Sequence, residues 1–264
     1  GLNYIISQIS RRKVSYCTMY YELALSTTKM VQWLNNHRIA IPDPLNSLMV
    51  ITNNESLSTF KDFFNYASNL FQTSVKSSNP SLSSEFNMIL NRLKKFEGLY
   101  NDQLHFITKF KYQEWLPAGF PKSFISLPSD QTDDPRLMLS TFYTDVIIWS
   151  FHLLDDKYKN DDSQMVGIML LSNYDSATSM IENGNLRIIL GQNGIDRISK
   201  LQKKALDKAT ASWSSLCAET MKASTITGDG NVNMSKTNLK SFIEMFNATL
   251  DNLCLNFKSN PASA

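Results

Sequence analysis

"NLRIILGQNGIDRISKLQKKALDKATASW", residues 185–213, decides the fold. An apolar run, Leu186 to Leu190, meets Gly191-Gln192-Asn193-Gly194 and then a basic amphipathic stretch. As strand, glycine loop and helix it would cradle a phosphate; as helix, corner and helix it carries no chemistry. The spacing selects the corner. A dinucleotide fingerprint needs Gly-x-Gly-x-x-Gly and a P-loop needs Gly-x-x-x-x-Gly-Lys-Ser/Thr, whereas here Gly-x-x-Gly precedes Ile195-Asp196. A carboxylate at the start of the following helix suits the helix dipole and repels a phosphate placed there. A clamp of the KH type also uses Gly-x-x-Gly, but among strands, and none are predicted around it. Asn185 can cap a short helix over 186–190, with Gly191 and Gly194 as helix stop and turn.

Outward from this corner, apolar residues recur at helical spacing. Ile5, Ile9, Tyr16, Met19, Leu23, Met30 and Leu34 line one face of a helix predicted over 3–36. Pro42 and Pro44 end it. A second helix is expected near Glu55, after the cap candidates Asn53 and Asn54, and carries Phe60, Phe63, Phe64, Phe71 and Val75. After "SSNPSLSS", the residues Phe86, Ile89, Leu93, Phe96, Tyr100, Ile107, Phe110 and Trp115 predict one helix over 82–115. Gln103 and Glu114 fill other positions of that pattern, and at 1.5 Å per residue such a helix would be roughly 50 Å long.

"LPAGFPKSFISLPSDQTDDP" (116–135) holds four prolines and reads as a module boundary. Asp133-Asp134-Pro135 reads as a helix start, a carboxylate cap followed by proline in the first turn. That helix presents Phe142, Val146, Trp149 and Leu153, and Ser163 opens the next, with Ile168, Leu171, Tyr174, Met180 and Ile181 before Gly184. The helix after Gly194 is expected to continue past Trp213 to about Met221. "STITGDGNVNMS" reads as a flexible loop, and residues 236–257 as a last amphipathic helix through Leu239, Phe242, Ile243, Phe246, Leu250, Leu253 and Phe257. No β-hairpin is predicted. The expected fold is all-α, an elongated rod of stacked antiparallel helical bundles. Its modules are a bundle over 1–116, a proline-rich connector over 117–134 and a second bundle over 135–264.

Composition agrees. Nine glycines in 264 residues suit long helices better than strands joined by tight turns. Lys and Arg number 26 against 24 Asp and Glu, so no general attraction to nucleic acid follows and any phosphate or membrane affinity needs a local patch. Cys17, Cys217 and Cys254 are scattered without Cys-x-x-Cys, which favours three small buried thiols in a reducing compartment. Apolar runs such as "VGIMLL" are too short to span a bilayer. A start at Gly1 rather than Met suggests a processed or partial chain.

Three further patterns bear on chemistry. "DGNVNMSKTNLK" puts Asp229, Asn231 and Asn233 at calcium-loop positions, but the sixth position is Met234 rather than Gly and the twelfth is Lys240 rather than a bidentate Glu. His37, His105 and His152 lie singly and far apart, with no metal or triad spacing. The carboxylates of "WSFHLLDDKYKNDD" cluster at a helix end, where solvated charge is normal. No catalytic residues, metal site or cofactor are expected. The one candidate surface is on the helix after Gly194. There Ile195, Ile198, Ala205, Ala209, Trp213 and Leu216 form the apolar face, while Lys200, Lys203, Lys204 and Lys208, with Arg197 beside them, form a basic one. It is either a solvated face or a patch for anionic lipid or an acidic partner, each lysine there worth about 1 kcal/mol. Arg11-Arg12-Lys13 carries the same two readings.

"MLLSNYDSATSMIENGNLRIILGQNGIDRISKLQKKALDKATASWSSL" resembles the core segment of the family of the seventy-kilodalton subunit of the exocyst, the vesicle-tethering complex. The family has an apolar helix ending in Leu-x-Asn, here Leu171-Ser172-Asn173, then a short Leu-rich step, here Leu186 to Leu190. A Gly- or Ala-containing corner and a basic helix ending in Trp, here Trp213, follow. The match covers roughly 135–220; the remainder is alike in being helical and Asn/Ser-rich, as fungal versions are. The resemblance implies a rod of helical bundles without catalytic activity. It also implies other exocyst subunits, a Rho-family GTPase and plasma-membrane phosphoinositides as partners, and a cytoplasmic place at sites of exocytosis. The family's lipid-binding residues lie in a last module, and this chain is expected to end before it and to lack the amino-terminal coiled coil. The rival readings are another helical adaptor, such as a different tethering subunit or a motor's cargo-binding domain, a membrane-surface binder, and an enzyme. A deep polar pocket holding His105 or His152 beside a carboxylate would favour the enzyme.

Overall fold

The computed structural model describes residues 17–76, 82–125, 134–211, 213–214, 217–218, 224–226, 232–234 and 236–258. The start of the predicted first helix, with Arg11-Arg12-Lys13, lies outside them. In chain order the helices are α1 (Cys17–Asn36), α2 (Asp43–Thr73), α3 (Ser84–Glu97), α4 (Tyr100–Ile107), α5 (Pro135–Lys157), α6 (Ser163–Glu182), α7 (Leu186–Ala209) and α8 (Lys236–Lys258), with a 3-10 turn at Lys122–Phe124. The fold is all-α. One short antiparallel ribbon departs from expectation: β1 (Ser224–Ile226) pairs with β2 (Val232–Met234) in the stretch read as a loop. Three-residue strands are too short to show a period of two, which is why the pattern concealed them.

Three helices begin or end elsewhere than expected; one is α7, which ends at Ala209 with Thr210 as its cap instead of running unbroken past Trp213. α2 starts at Asp43, directly after Pro42, with Pro44 in its first turn. Those positions need no amide hydrogen, so the prolines that close α1 also open α2. Asn53 is therefore not a cap but an interior residue, its side-chain amide donating to the Met49 carbonyl at 2.8 Å. The predicted helix over 82–115 breaks at Gly98-Leu99 into α3 and α4. Buried Gln103 holds the break: its Nε2 donates to the Phe96 carbonyl at 2.6 Å and its Oε1 accepts from the Tyr143 hydroxyl at 3.0 Å. A carbonyl freed at a helix end must find a donor when it is buried, and the glutamine supplies it.

α5 is the axis of the molecule. Asp134 caps it, accepting from the Arg136 amide at 2.9 Å, with Pro135 next, as the sequence predicts. Every residue from Met138 to Phe151 is buried, so the helix is covered on all sides. Its apolar stretch, of mean hydropathy 1.3, is long enough to cross a membrane by length and composition, but 78% of that window is buried inside the bundle. Phe142 is the hub, with ring centroids of Phe60 at 5.0 Å, of Phe63, Phe64 and Trp115 at 6.0 Å, and of Phe96 at 6.3 Å.

One hydrophobic core runs from Tyr21 in α1 through α2, α3 and α4 to α5, α6 and α7. The core therefore does not divide at the proline-rich connector. Trp115 just before that segment and Phe120 within it are themselves buried, and Phe120 stacks on Trp149 at 6.1 Å. Prolines there shape a chain that lies against α5 instead of spacing it from α2. Asn173, the last residue of the Leu-x-Asn step, is also internal: its Oδ1 accepts from the Ser83 amide at 3.0 Å, fastening α6 to the start of α3.

Candidate functional site

Residues 185–209 form a helix corner docked on α5. Gly191 has φ 59 and ψ −176, a conformation inside α7 that breaks its helical path and that only glycine takes without strain. The break exposes the Leu190 carbonyl, which accepts from the Ser140 hydroxyl at 2.6 Å. One turn on, Gly194 is not a turn residue but a close-packing one: a Cβ there would lie 2.7 Å from Thr144 Oγ1. Asn185 sits at the helix start as predicted, although its side chain makes no capping bond.

Arg197 follows on the same buried side. It is 8% exposed and its Nη2 donates to Asp145 Oδ1 at 2.6 Å and to the Phe124 carbonyl at 2.7 Å. Asp145, fully buried, also accepts from Trp115 Nε1 at 3.0 Å and from Gln113 Nε2 at 3.2 Å. Burial pushes the Asp145 carboxyl above its ordinary range, against the pull of Arg197, Trp115 and Gln113. The cluster joins α5, α7 and the connector through one carboxylate.

The predicted basic face accordingly splits. Arg197 belongs to the core and not beside the lysines, because Leu201 and Ala205 carry the buried stripe through its position. Lys204 and Lys208 both reach Asp155, Lys204 at 3.2 Å. Burial opposes the charge of Asp155, yet those two lysines hold its carboxyl below the ordinary range. Lys200 and Lys203 are exposed and make no ion pair with any described residue. Two of the five predicted residues thus remain as an open cationic surface.

The histidines stay apart. His37 Nδ1 lies 2.8 Å from the Trp33 carbonyl at an exposed helix end, and His105 packs edge-on to Phe106. His152 and Asp155 do line a common cavity with Lys204, but it offers about 20 Å³, room for about one water. Burial lowers the His152 pKa, with Lys204 adding to the shift and Asp156 and Asp155 opposing it. Cys217 is exposed rather than buried; the side chains of Cys17 and Cys254 lie outside the described residues, as do those of Asp229, Asn231 and Asn233 in the calcium-like stretch. Among the described residues no group of three or more His, Cys, Asp or Glu is placed to hold a metal.

The sequence patterns single out none of Asp145, Gln113, Ser140 and Thr144, and place Trp115 only on an apolar helix face. The available signal was spacing: Ser140 and Thr144, and Thr141 and Asp145, are four apart on a helix otherwise apolar on every side. Polar residues on such a helix face a neighbour, not water.

These features define a helical-bundle scaffold whose corner and buried ionic cluster fix how its helices cross. The chain belongs to the family formed by the carboxy-terminal region of Exo70 from the exocyst complex, which it matches over residues 3–260. It is 25% identical over 179 residues to the exocyst complex protein EXO70 of Yarrowia lipolytica, covering 65% of this chain and 30% of that protein. Against the Saccharomyces cerevisiae exocyst complex component EXO70 the identity is 23% over 184 residues, again covering 30% of the relative. The solved S. cerevisiae Exo70 structure superposes with a TM-score of 0.78 at 18% identity, covering 98% of this chain and 51% of that one. The shared fold is a rod of helical bundles. This chain thus matches under a third of the length of its curated relatives and about half of the solved chain.

Proposed function

We propose that the chain is a non-catalytic interaction subunit of the exocyst. Its rigid helices hold partner surfaces at fixed separations, so that secretory vesicles are tethered to the plasma membrane during exocytosis. It works in the cytoplasm, peripherally at sites of exocytosis, with other exocyst subunits as its main partners. Family membership across residues 3–260 carries the reading. The test is affinity capture of the tagged chain from yeast lysate, with partners identified by mass spectrometry. Recovery of exocyst subunits is expected; a folded chain that recovers none overturns the proposal for this part of the protein.

A Rho-family GTPase and plasma-membrane phosphoinositides form the finer part of the proposal, with the α7 lysines as the surface they would use. Its magnitude is limited. At about 1 kcal/mol per lysine, Lys200 and Lys203 together contribute about 2 kcal/mol, or roughly thirtyfold in affinity. Flotation on vesicles rich in anionic lipid should therefore be weak and salt-sensitive. Lys200→Glu with Lys203→Glu should abolish it, whereas Lys204→Glu should instead disturb the Asp155 pairing. Flotation untouched by the double change would remove these lysines from the proposal.

A further inference from the structure

A cleft of about 520 Å³ opens beside the α6–α7 corner, lined by Glu97, Tyr100, Arg136, Asn185, Ile188 and Ile189. It gathers the end of α3, the start of α4, the first turn of α5 and the first turn of α7. Its charge arrangement is unusual for a surface that only meets water. Glu97 Oε2 is buried and has no hydrogen-bond partner among the described residues; it lies against Gly184, where a Cβ would come within 3.8 Å of it. A carboxylate partly withdrawn from water without a donor is costly to keep. Arg136 is exposed on the same cleft and makes no ion pair with a described residue. Ile188, also lining it, is 81% exposed although its neighbours Leu186 and Leu190 are buried.

We propose that this cleft docks a peptide segment of a partner protein that carries a basic side chain next to a large aliphatic one. The aliphatic side chain covers Ile188 and Ile189. The basic side chain enters beside Tyr100 and supplies the countercharge that Glu97, which makes no ion pair with a described residue, lacks; Arg136 donates to a carbonyl of the segment. Charge complementarity selects this occupant: a second carboxylate beside Glu97 would be repelled, and an apolar segment alone would leave Glu97 without a countercharge. The inference rests on the cleft's own residues and stands whether or not the exocyst proposal holds.

The test uses the whole chain labelled at isoleucine methyl groups and two probes, N-acetyl-Leu-Arg-Leu-Ser-amide and the same peptide with Glu in place of Arg. Titration of the arginine peptide should give saturable shifts at Ile188 and Ile189, with at least tenfold weaker binding of the glutamate peptide. Glu97→Gln should weaken the arginine peptide by a similar factor while melting at or above the parent temperature, and Ile188→Ser should lose both peptides. Equal binding of the two peptides, no shift at millimolar concentration, or a fall in melting temperature for Glu97→Gln would each overturn the proposal. So would shifts that appear on concentrating the protein without peptide, which would give the cleft to a second copy of the chain.

Discussion

At Gly167 a Cβ would fall 2.2 Å from the Ala209 nitrogen and 2.6 Å from its Cα, so α6 and α7 meet there with only a hydrogen between them. At Gly191 a Cβ would meet nothing within 4 Å, and the demand is purely one of backbone conformation. Alanine should therefore harm both sites for different reasons. At Gly167, overpacking costs about 1–3 kcal/mol or more, against a gain of about 1 kcal/mol in helix propensity, and the clash wins because backbone must move. At Gly191, strain costs about 1–3 kcal/mol, and asparagine brings no relief because it tolerates the left-handed helical region and not ψ near 180°. Urea unfolding midpoints check both, with Gly184→Ala, whose Cβ would have ordinary 3.5 Å clearance, as the near-neutral comparison. The Asp145–Arg197 pair obeys another rule. Asp145→Asn strands a buried guanidinium and should cost about 3–5 kcal/mol, whereas Asp145→Leu with Arg197→Met removes both charges and should cost less than either change alone. A double-mutant cycle measures this, and additive losses would show that the pair is not coupled.

At the scale of elements, Lys157 ties three helices. Its Nζ, at the end of α5, donates to Ser74 Oγ at 2.6 Å beyond α2 and to Glu85 Oε1 at 2.8 Å in the first turn of α3. Burial opposes the charge on Glu85, but Lys157, Ser74, the Glu85 amide and Ser83 hold its pKa down at about 2 from 4.5. The unfolded chain therefore binds this proton more readily than the folded one. Stability from the pair is complete above about pH 4.5 and is lost as pH falls towards 2. Melting temperatures at pH 6 and pH 3 should separate further in the parent than in Glu85→Gln; equal pH dependence would deny the pair this role. Which elements were legible in the sequence follows from where the signal lies. The caps of α5 and the corner at Gly191 are written in neighbouring residues, so local reading finds them. The α3–α4 break depends on Gln103 reaching both Phe96 and Tyr143. The fate of Arg197 depends on Asp145, 52 positions away. No periodicity encodes such a pairing.

For the whole molecule, the four prolines of 116–135 suggest a hinge between two bundles, yet α1 to α7 on both sides of them share one core. Phe142 of α5 stands among Phe60, Phe63 and Phe64 of α2, and Trp149 Nε1 donates to Ser68 of α2 at 3.1 Å. Neither side of the connector keeps its core when parted from the other: α2 would expose its phenylalanine face, and α5 would expose apolar residues all round. Losing even Phe142 to alanine should cost about 3–5 kcal/mol, a large share of the 5–15 kcal/mol typical of a whole domain. Covalent continuity through 126–133 should then matter little to the folded state. A chain given a protease site in that segment should, after cleavage, elute as one species and melt in one transition near the parent temperature. Each half expressed alone should lack a cooperative transition and recover it on mixing. Halves that separate after cleavage and each melt cooperatively would establish two independent modules, and the shared core around Phe142 would then be a contact surface between them.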